Sequence, residues 1–308
     1  MPTTNFAPLL PVMDRYGPAV RHVDLFMRGN HRIPIKWGLD PFPVDWISIT
    51  PRSGQLSRDT QSDQRLNITV NWDKVPAGFN GTVLVGIRST PAPFPYFDLI
   101  RIPVLNSPDI AKLGASSGTF PETSGIVSIE GPHFQATSPS TGNQTHFQPF
   151  KHLGSRSESG SIALRPFEEA RSSISAATSA WASYGIWLFG AATSLEATIY
   201  INACLDTDPK RKMTFSLTLD DAPAGNFTRV LGDYITNPSA GDIPPEWMDH
   251  VADNVWTKRV KLGPASAGAH KLVWRTNSPE VYLEKIVVDI RGRVRGSYLG
   301  PPETFRLP

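Results

Sequence analysis

The chain has 308 residues, of which 30 are basic and 28 acidic, so its formal net charge is only +2. This length predicts two domains, and the near balance of charge excludes the basic excess expected of a nucleic-acid-binding protein. A single cysteine, Cys204, excludes an internal disulfide and any cysteine-rich metal site.

The first part of the chain alternates apolar and polar residues with a period near two. This pattern is typical of strands that bury one face, and turn residues separate its segments. The segments cover residues 21–29, 46–50, 66–70, 82–87 and 100–104. We therefore predict an antiparallel β-sandwich over residues 1–110.

A Ser-, Gly- and Pro-rich stretch follows and breaks this pattern, and we predict an interdomain linker over residues 111–122. Period-two alternation resumes in the second domain, residues 123–308, apart from a loop-like excursion over residues 134–165. The one good helix start is the Pro-Pro pair before Trp247, after which Val251 and Val255 recur at four-residue spacing. The predicted fold class is all-β, with two tandem β-sandwiches, the second larger and carrying one short helix.

The sequence contains short patterns found at catalytic and metal sites, but the residues around them do not fit such sites. Ser116 lies in a Gly-Ala-Ser-Ser-Gly segment, but a nucleophile elbow needs a strand before it and a helix after it, and a proline-bearing segment follows. His133, His146 and His152 share one stretch without an acidic or cysteine partner at ligand spacing. We predict no catalytic residue, no metal and no cofactor.

A calcium site is the remaining metal alternative, since four aspartates flank one predicted strand, but they lie toward its opposite ends. These residues are Asp206, Asp208, Asp220 and Asp221.

No membrane segment is expected, because the longest apolar run, residues 184–192, is too short to cross a bilayer. The N-terminus lacks the features of a signal peptide. Four sequons slightly favour a glycosylated, secreted origin. They begin at Asn67, Asn80, Asn143 and Asn226.

The C-terminal segment carries the most specific pattern, which is Ser-Tyr-Leu-Gly-Pro-Pro-Glu at residues 297–303. It follows Gly-x-His-x-Leu at residues 268–272 and Glu-Lys-Ile-Val-Val-Asp at residues 284–289. Two upstream segments belong to the same pattern, Val-Ser-Ile-Glu at residues 127–130 and Leu-Gly-Ser-Arg-Ser at residues 153–157. This set resembles the C-terminal region of glycoside hydrolase family 115, the xylan α-glucuronidases. The segments at residues 21–29 and 46–54 look like the immunoglobulin-like domain that precedes it.

The resemblance implies a non-catalytic accessory or carbohydrate-binding module of an α-glucuronidase-like protein. The family places its catalytic acid in an upstream (β/α)8 barrel, and no such pattern of alternating strands and helices occurs here. Partners implied by the resemblance are the plant cell-wall polysaccharide glucuronoxylan or the missing barrel, and a homodimer, with an extracellular location. The alternatives are an assembly (dimerisation) module without a sugar site, a fragment of a glycoside hydrolase, and a hydrolase that is active alone.

Candidate ligand contacts come from several sources. His133, Arg156, His270 and Tyr298 are polar or amphipathic groups at the family's motif positions. Arg291, Arg293 and Arg295 would lie on one face of an extended strand, and arginine grips carboxylates bidentately, which suits a uronate. Trp37 is out of phase with its neighbours and is expected at the surface. The assembly alternative rests on an apolar patch at residues 94–97.

Overall fold

A computed structural model gives the structure. It describes residues 9–27, 33–90, 96–142, 144–170, 175–204, 212–220, 222–223, 227–230, 251–290 and 300–308. Contacts divide the chain into two units, residues 1–109 and residues 110–308. No helix within the described ranges is long and apolar enough to span a membrane.

The first unit is built from eight strands. They are β1 (Met13–Asp14), β2 (Val20–Phe26), β3 (Ile35–Leu39), β4 (Ile47–Thr50), β5 (Ser53–Leu56), β6 (Asp63–Val70), β7 (Asn80–Thr90) and β8 (Tyr96–Leu105). A five-stranded sheet has the order β1-β8-β7-β3-β5, and a three-stranded sheet has the order β2-β6-β4.

Alternation along the strands explains the core of the first unit. Leu66 and Ile68 in β6 are fully buried, while the intervening Asn67 is exposed. Ile102 in β8 is buried in the same way and packs in the same cluster. Because side chains of a strand point alternately to opposite faces, every second residue enters the core between the sheets.

In the described part of the second unit there are twelve strands, with short helical segments between some of them. The strands are β9 (Phe120–Pro121), β10 (Ile126–Glu130), β11 (Ala136–Ser138), β12 (His146–Phe150), β13 (Ser161–Arg165), β14 (Trp181–Leu188), β15 (Ala192–Asn202), β16 (Thr214–Leu219), β17 (Thr228–Arg229), β18 (Val255–Ala265), β19 (Gly268–Thr276) and β20 (Leu283–Asp289). A 3-10 turn covers Gly131–His133, and α1 covers Phe167–Ala170.

Two six-stranded sheets enclose the core of this unit. One has the order β12-β13-β20-β15-β18, with β10 also paired to β20, and the other has the order β11-β14-β19-β16-β17, with β9 paired to β14. Trp274 is fully buried between them and stacks on Phe215 with ring centroids 5.2 Å apart. The all-β fold class is confirmed, and the immunoglobulin-like assignment of the first unit stays a prediction.

Three segments differ from the sequence-based expectation. Residues 134–165 form β11, β12 and β13 rather than a loop excursion, because Phe147, Ile162 and Leu164 enter the core. Residues 111–122, predicted as a linker, are grouped with the second unit by their contacts, and Phe120 within them is fully buried.

The short helix before β18 also differs from its prediction. Residues 251–253 are helical, but Val255 already begins β18, and Val251 is 55% exposed. These two residues therefore do not share one apolar helix face. Trp247 lies outside the described residues.

Gly131 offers a test of the packing beneath the 3-10 turn. A Cβ atom added there would overlap the backbone carbonyl oxygen of Leu283 in β20, which cannot shift without moving the strand. We expect Gly131→Ala to lower the free energy of unfolding by about 2 kcal/mol, as overpacking does. Gly185→Ala is the control, since its Cβ would meet only the side-chain end of Gln135. Equal losses in urea denaturation of the two variants would contradict this account.

Candidate functional site

A cleft of about 720 Å³ lies on the second unit, at the end of β10. Four segments line it: the 3-10 turn with its adjoining Glu130, the loop of residues 155–159, Lys285 of β20, and residues 300–303. Its volume is within the range of pockets that bind small molecules. The residues around it come from parts of the chain separated by up to 173 positions.

The floor of the cleft is the outer face of the sheet that contains β10, β20 and β15. Lys285 pairs with Glu130 on one side and with Tyr200 on the other, across β10, β20 and β15. Ile286, the next residue along β20, belongs to the core. Because strand residues alternate between faces, Lys285 points away from the core and Glu130 lies beside it.

Glu130 organises the loop that forms one wall. Its two carboxylate oxygens accept hydrogen bonds from the backbone N–H groups of Glu158 at 2.9 Å and Ser159 at 2.8 Å. Burial alone would raise the pKa of Glu130, but these bonds, with the Ser157 and Ser159 side chains, hold it below its usual value. The carboxylate therefore stays ionised and supports the loop.

Glu303 closes the opposite wall. Its Oε1 accepts the backbone N–H of Glu130 at 2.8 Å, and Nδ1 of His133 lies 2.7 Å from its Oε2. Burial raises the pKa of Glu303, and the N–H of Glu130 and the imidazole of His133 oppose this shift. An ionised carboxylate only accepts, so Nδ1 of His133 carries the proton of this hydrogen bond.

Hydrogen bonds to backbone carbonyl groups hold the rest of the C-terminal segment against β10 and β20. Thr304 donates its N–H to the carbonyl of Ser128 at 2.9 Å, and the Ser128 hydroxyl donates to the carbonyl of Pro301 at 3.1 Å. Lys285, only 4% exposed, donates from Nζ to the same Pro301 carbonyl at 3.0 Å. Burial lowers the pKa of Lys285, while Glu130, Glu303, Glu284 and Glu158 oppose that shift.

Arg156 and Glu284 form the base of the loop wall. Glu284 Oε2 accepts the backbone N–H groups of Ser155 at 2.9 Å and Arg156 at 2.7 Å, while its buried Oε1 has no hydrogen-bond partner among the described residues. The Arg156 guanidinium donates to the carbonyl of Asp253 at 2.5 Å. Gly154 has φ +143°, and a Cβ there would lie 3.0 Å from Cδ of Glu284, so this turn requires glycine.

Comparison with known proteins decides the family. Residues 119–303 match the family model described as the glycosyl hydrolase family 115 C-terminal domain. The chain belongs to this family. The match places the second unit among the accessory domains of a carbohydrate-active enzyme family, and it confirms the resemblance noted from the sequence.

Solved structures to which this chain is similar include a family GH115 4-O-methyl-α-glucuronidase, BtGH115A, described as having specificity for decorated arabinogalactans. It is 16% identical over 52% of this chain with a TM-score of 0.32, and this chain covers 18% of that enzyme. The family 6 carbohydrate-binding module of LamC from Zobellia galactanivorans is 14% identical over 53% of this chain and 98% of its own, with a TM-score of 0.30. A family 35 module from Clostridium thermocellum is 5% identical over 53% of this chain and 96% of its own, with a TM-score of 0.32. A search of curated proteins finds no match.

Of the ligand contacts predicted for this family 115 domain, two line the cleft: His133 and Arg156. Sequence reasoning missed Glu130, Lys285 and Glu303 as site residues, although all three lie in the quoted family motifs. Four other candidates lie outside the described residues. These are Arg291, Arg293, Arg295 and Tyr298.

His270 contacts other residues of the family 115 domain through both nitrogens of its ring. Nδ1 lies 2.8 Å from Asp220 Oδ2, and Nε2 lies 2.9 Å from the carbonyl of Ser266. The contacts join the β18–β19 turn to the end of β16, so both ring nitrogens are occupied. The ligand contact predicted for His270 stays a prediction, and a ligand would have to displace one of these two partners. Of the aspartates proposed for calcium, Asp206, Asp208 and Asp221 lie outside the described residues.

Trp37 also differs from its prediction. It lies in the first unit, is only 5% exposed, and packs beside Gly54, where a Cβ would come within 2.9 Å of its ring. Strand β3 pairs with β5 and β7 on both sides, so this tryptophan faces the core rather than solvent. The surface position expected for Trp37 is wrong.

The family 115 domain also gathers three groups of the type that bind metals, which the sequence did not indicate. Ligand atoms of Glu130, His133 and Glu303 lie within 4.8 Å of one another. Backbone N–H groups and His133 already occupy the carboxylate oxygens, and the ammonium of Lys285 supplies positive charge beside them. The hydrogen bonds therefore account for this cluster without a cation.

The buried Glu284 predicts a pH effect on stability. Burial raises its pKa above the ordinary value of 4.5, against the N–H groups of Arg156 and Ser155. At pH values between 4.5 and the higher pKa of Glu284 in the folded state, the folded domain holds a proton that the unfolded chain has released. The stability contributed by this proton is present below pH 4.5 and is lost as pH rises through the folded pKa.

Glu284→Gln cannot ionise, and its amide oxygen can still accept both N–H groups. We expect the free energy of unfolding of this variant to decline less than that of the unsubstituted protein from pH 4.5 towards neutrality, measured by urea denaturation. Glu196→Gln, at a half-exposed site on β15, is the control. A decline as steep in Glu284→Gln as in the control would contradict the prediction.

Proposed function

We propose that this protein is a non-catalytic carbohydrate-binding accessory module of an α-glucuronidase-like protein that acts on glucuronoxylan. The observation that carries the proposal is the convergence of family motif residues on one cleft. His133, Arg156, Lys285 and Glu303 come from four distant segments and line a single cavity of about 720 Å³. Structural packing alone does not require polar groups of this kind around an open cavity.

The chemistry of the cleft supports a glycan as ligand. Its lining includes hydroxyl groups of the serines at 155, 157 and 159, together with charged donors and acceptors. A sugar presents adjacent hydroxyls that both donate and accept, so it matches a surface with both kinds of group. Hydrogen bonds of this type, especially with charged partners, give a polar ligand its orientation.

The bonding of the two carboxylates supports a non-catalytic role. A glycosidase needs one carboxyl group as acid and a second carboxylate across the glycosidic bond. Here both oxygens of Glu130 hold the loop wall, and Glu303 holds the backbone of Glu130 together with His133. Neither carboxylate is free for acid–base or nucleophilic chemistry without releasing a wall of the cleft.

The proposal also covers the recognition of the uronate and the cellular location of the protein. We assign the uronate of glucuronoxylan to Arg291, Arg293 and Arg295, whose alternate spacing in sequence suits one face of a strand. An extracellular setting follows the parent family. The exposed side chains of Asn67 and Asn80, which begin two sequons, are compatible with it.

Affinity electrophoresis tests this function. The intact chain should be retarded more strongly in gels that contain glucuronoxylan than in gels that contain unsubstituted xylan. Replacement of Arg293 and Arg295 by alanine should abolish the difference, because it removes the cations assigned to the uronate. Joint replacement of Lys261 and Lys271 by alanine, at exposed positions on β18 and β19, is the matched loss of two positive charges and should leave the difference unchanged.

Two outcomes would overturn the proposal. Absence of retardation by either polysaccharide would remove the binding function. Release of 4-O-methylglucuronic acid from glucuronoxylan by the purified chain, lost on substitution of a single carboxylate, would show that the module is a hydrolase by itself.

A second candidate is self-association through the first unit. A cavity of about 520 Å³ there is lined largely by apolar side chains, and Phe26 and Tyr96 at its margin are each 62% exposed. Exposed aromatic groups beside an apolar cavity are typical of protein interaction sites. Tyr96 and Phe97 belong to the patch anticipated from sequence, whereas Phe94 lies outside the described residues.

Sedimentation velocity tests this candidate. If the patch mediates a homodimer, the chain should sediment as a dimer at micromolar concentration and Phe26→Ser should shift it towards monomer, because an apolar contact is lost. Val20→Ser, at an exposed position on the same strand but outside the cavity, should sediment like the unsubstituted protein. A monomer at every concentration would exclude the candidate.

A further inference from the structure

The cleft of the second unit has a charge balance that bears on its ligand. Among the described residues, its lining contains three carboxylates, Glu130, Glu158 and Glu303, against two cations, Arg156 and Lys285. We propose that the cleft binds an uncharged sugar residue of the polysaccharide backbone, with the Lys285 ammonium as its main hydrogen-bond donor. This inference rests on the proposed function, and it concerns the backbone sugar rather than the uronate.

Lys285 carries the argument for a bound ligand. It is only 4% exposed, lines the cleft, and finds one acceptor among the described residues, the carbonyl of Pro301. An ammonium group has three N–H donors, and a buried donor without an acceptor is unfavourable. Two of its donors are therefore available to oxygen atoms that enter the cleft.

The surroundings of Lys285 favour a neutral oxygen over a carboxylate. Glu130 pairs with Lys285 across the β10–β20 ladder, and Glu303, Glu284 and Glu158 also act electrostatically on it. These groups already balance the positive charge of the ammonium. A uronate placed here would meet the repulsion of several carboxylates in a partly desolvated site, where charge interactions are strong. A hydroxyl or ring oxygen would accept from Lys285 without that repulsion.

Arg156 does not change this balance. Its guanidinium donates to the backbone carbonyls of Ser155 and Asp253. Its positive charge is held at the base of the loop, where it acts on Glu284. The described lining of the cleft therefore offers no open guanidinium fork of the kind that grips a carboxylate bidentately.

Groups on the walls complement the hydroxyls of a sugar. Glu303 contacts His133 through Nδ1 rather than Nε2, and the carboxylate of the exposed Glu158, an acceptor, lies on the opposite wall. Both walls are held by bonds to Glu130, whose carboxylate binds the loop and whose N–H binds Glu303. A site held in this way loses little conformational freedom on binding.

Titration calorimetry of the full chain with xylohexaose tests the inference. Lys285→Met retains the length and volume of the buried side chain but donates no hydrogen bond, so we expect at least a tenfold loss of affinity. Lys271→Met, at an exposed lysine on the other sheet, should bind as the unsubstituted protein does. Thermal unfolding of both variants establishes that the fold is retained.

Glu158→Gln provides a second variant in case Lys285→Met fails to fold. Glu158 is exposed, so folding should be unaffected, and the loss of a charged acceptor should weaken xylohexaose binding about threefold. Unchanged affinity in the folded Lys285→Met variant, or in Glu158→Gln if that is the only folded one, would overturn the inference.

Competition with sodium glucuronate tests whether the cleft prefers an uncharged sugar to a uronate. Sodium glucuronate should not displace xylohexaose from the unsubstituted protein, and displacement would show that the cleft is a uronate site instead. Retention in glucuronoxylan gels without xylohexaose binding would overturn this inference but leave the proposed function standing. Absence of binding to every glycan would overturn the proposed function itself.

Discussion

The carboxylate of Glu303 lies between the backbone N–H of Glu130 and the imidazole of His133, and this contact joins the two ends of the second unit. Residues 300–304 do not form a ladder with β10. Hydrogen bonds of the Ser128 and Thr304 hydroxyls, together with the bond from the backbone N–H of Thr304 to the carbonyl of Ser128, hold these residues against β10 instead. The segment therefore crosses the outer face of the sheet and covers Lys285, and an open cleft remains beside it. Removing one member of such a buried network leaves the others uncompensated, which is costly.

Two glutamates hold the loop on the other side of the cleft through the same kind of hydrogen bond to its backbone. Glu284 accepts the consecutive N–H groups of Ser155 and Arg156, and Glu130 accepts those of Glu158 and Ser159. The two glutamates lie on neighbouring strands, β20 and β10, so one sheet positions the whole loop. Charge-assisted hydrogen bonds of this kind are stronger than neutral ones. The loop has no regular secondary structure, yet its backbone is fixed by the sheet beneath it.

These arrangements separate two roles among the charged residues. Glu130, Glu284 and Glu303 bind backbone groups, and their carboxylates maintain the walls. Lys285 lines the cleft with N–H donors that the described residues do not use, and Glu303 contacts His133 through Nδ1 rather than Nε2. The positions of the three carboxylates are explained by the backbone groups that they hold.

Local sequence determined alternating strands such as β6 and β8, the all-β class and the family, because burial of one strand face imposes a period of two and motif residues are read directly from the chain. It also named His133 and Arg156, which line the cleft. Only tertiary structure decided which of these residues meet. Trp37 was expected at the surface, but it packs in the core of the first unit, and His270 contacts Asp220 and Ser266. Glu130 and Glu303 are 173 positions apart, and no local periodicity encodes such a contact. It arises because β10 and the C-terminal segment lie together on the outer face of one sheet.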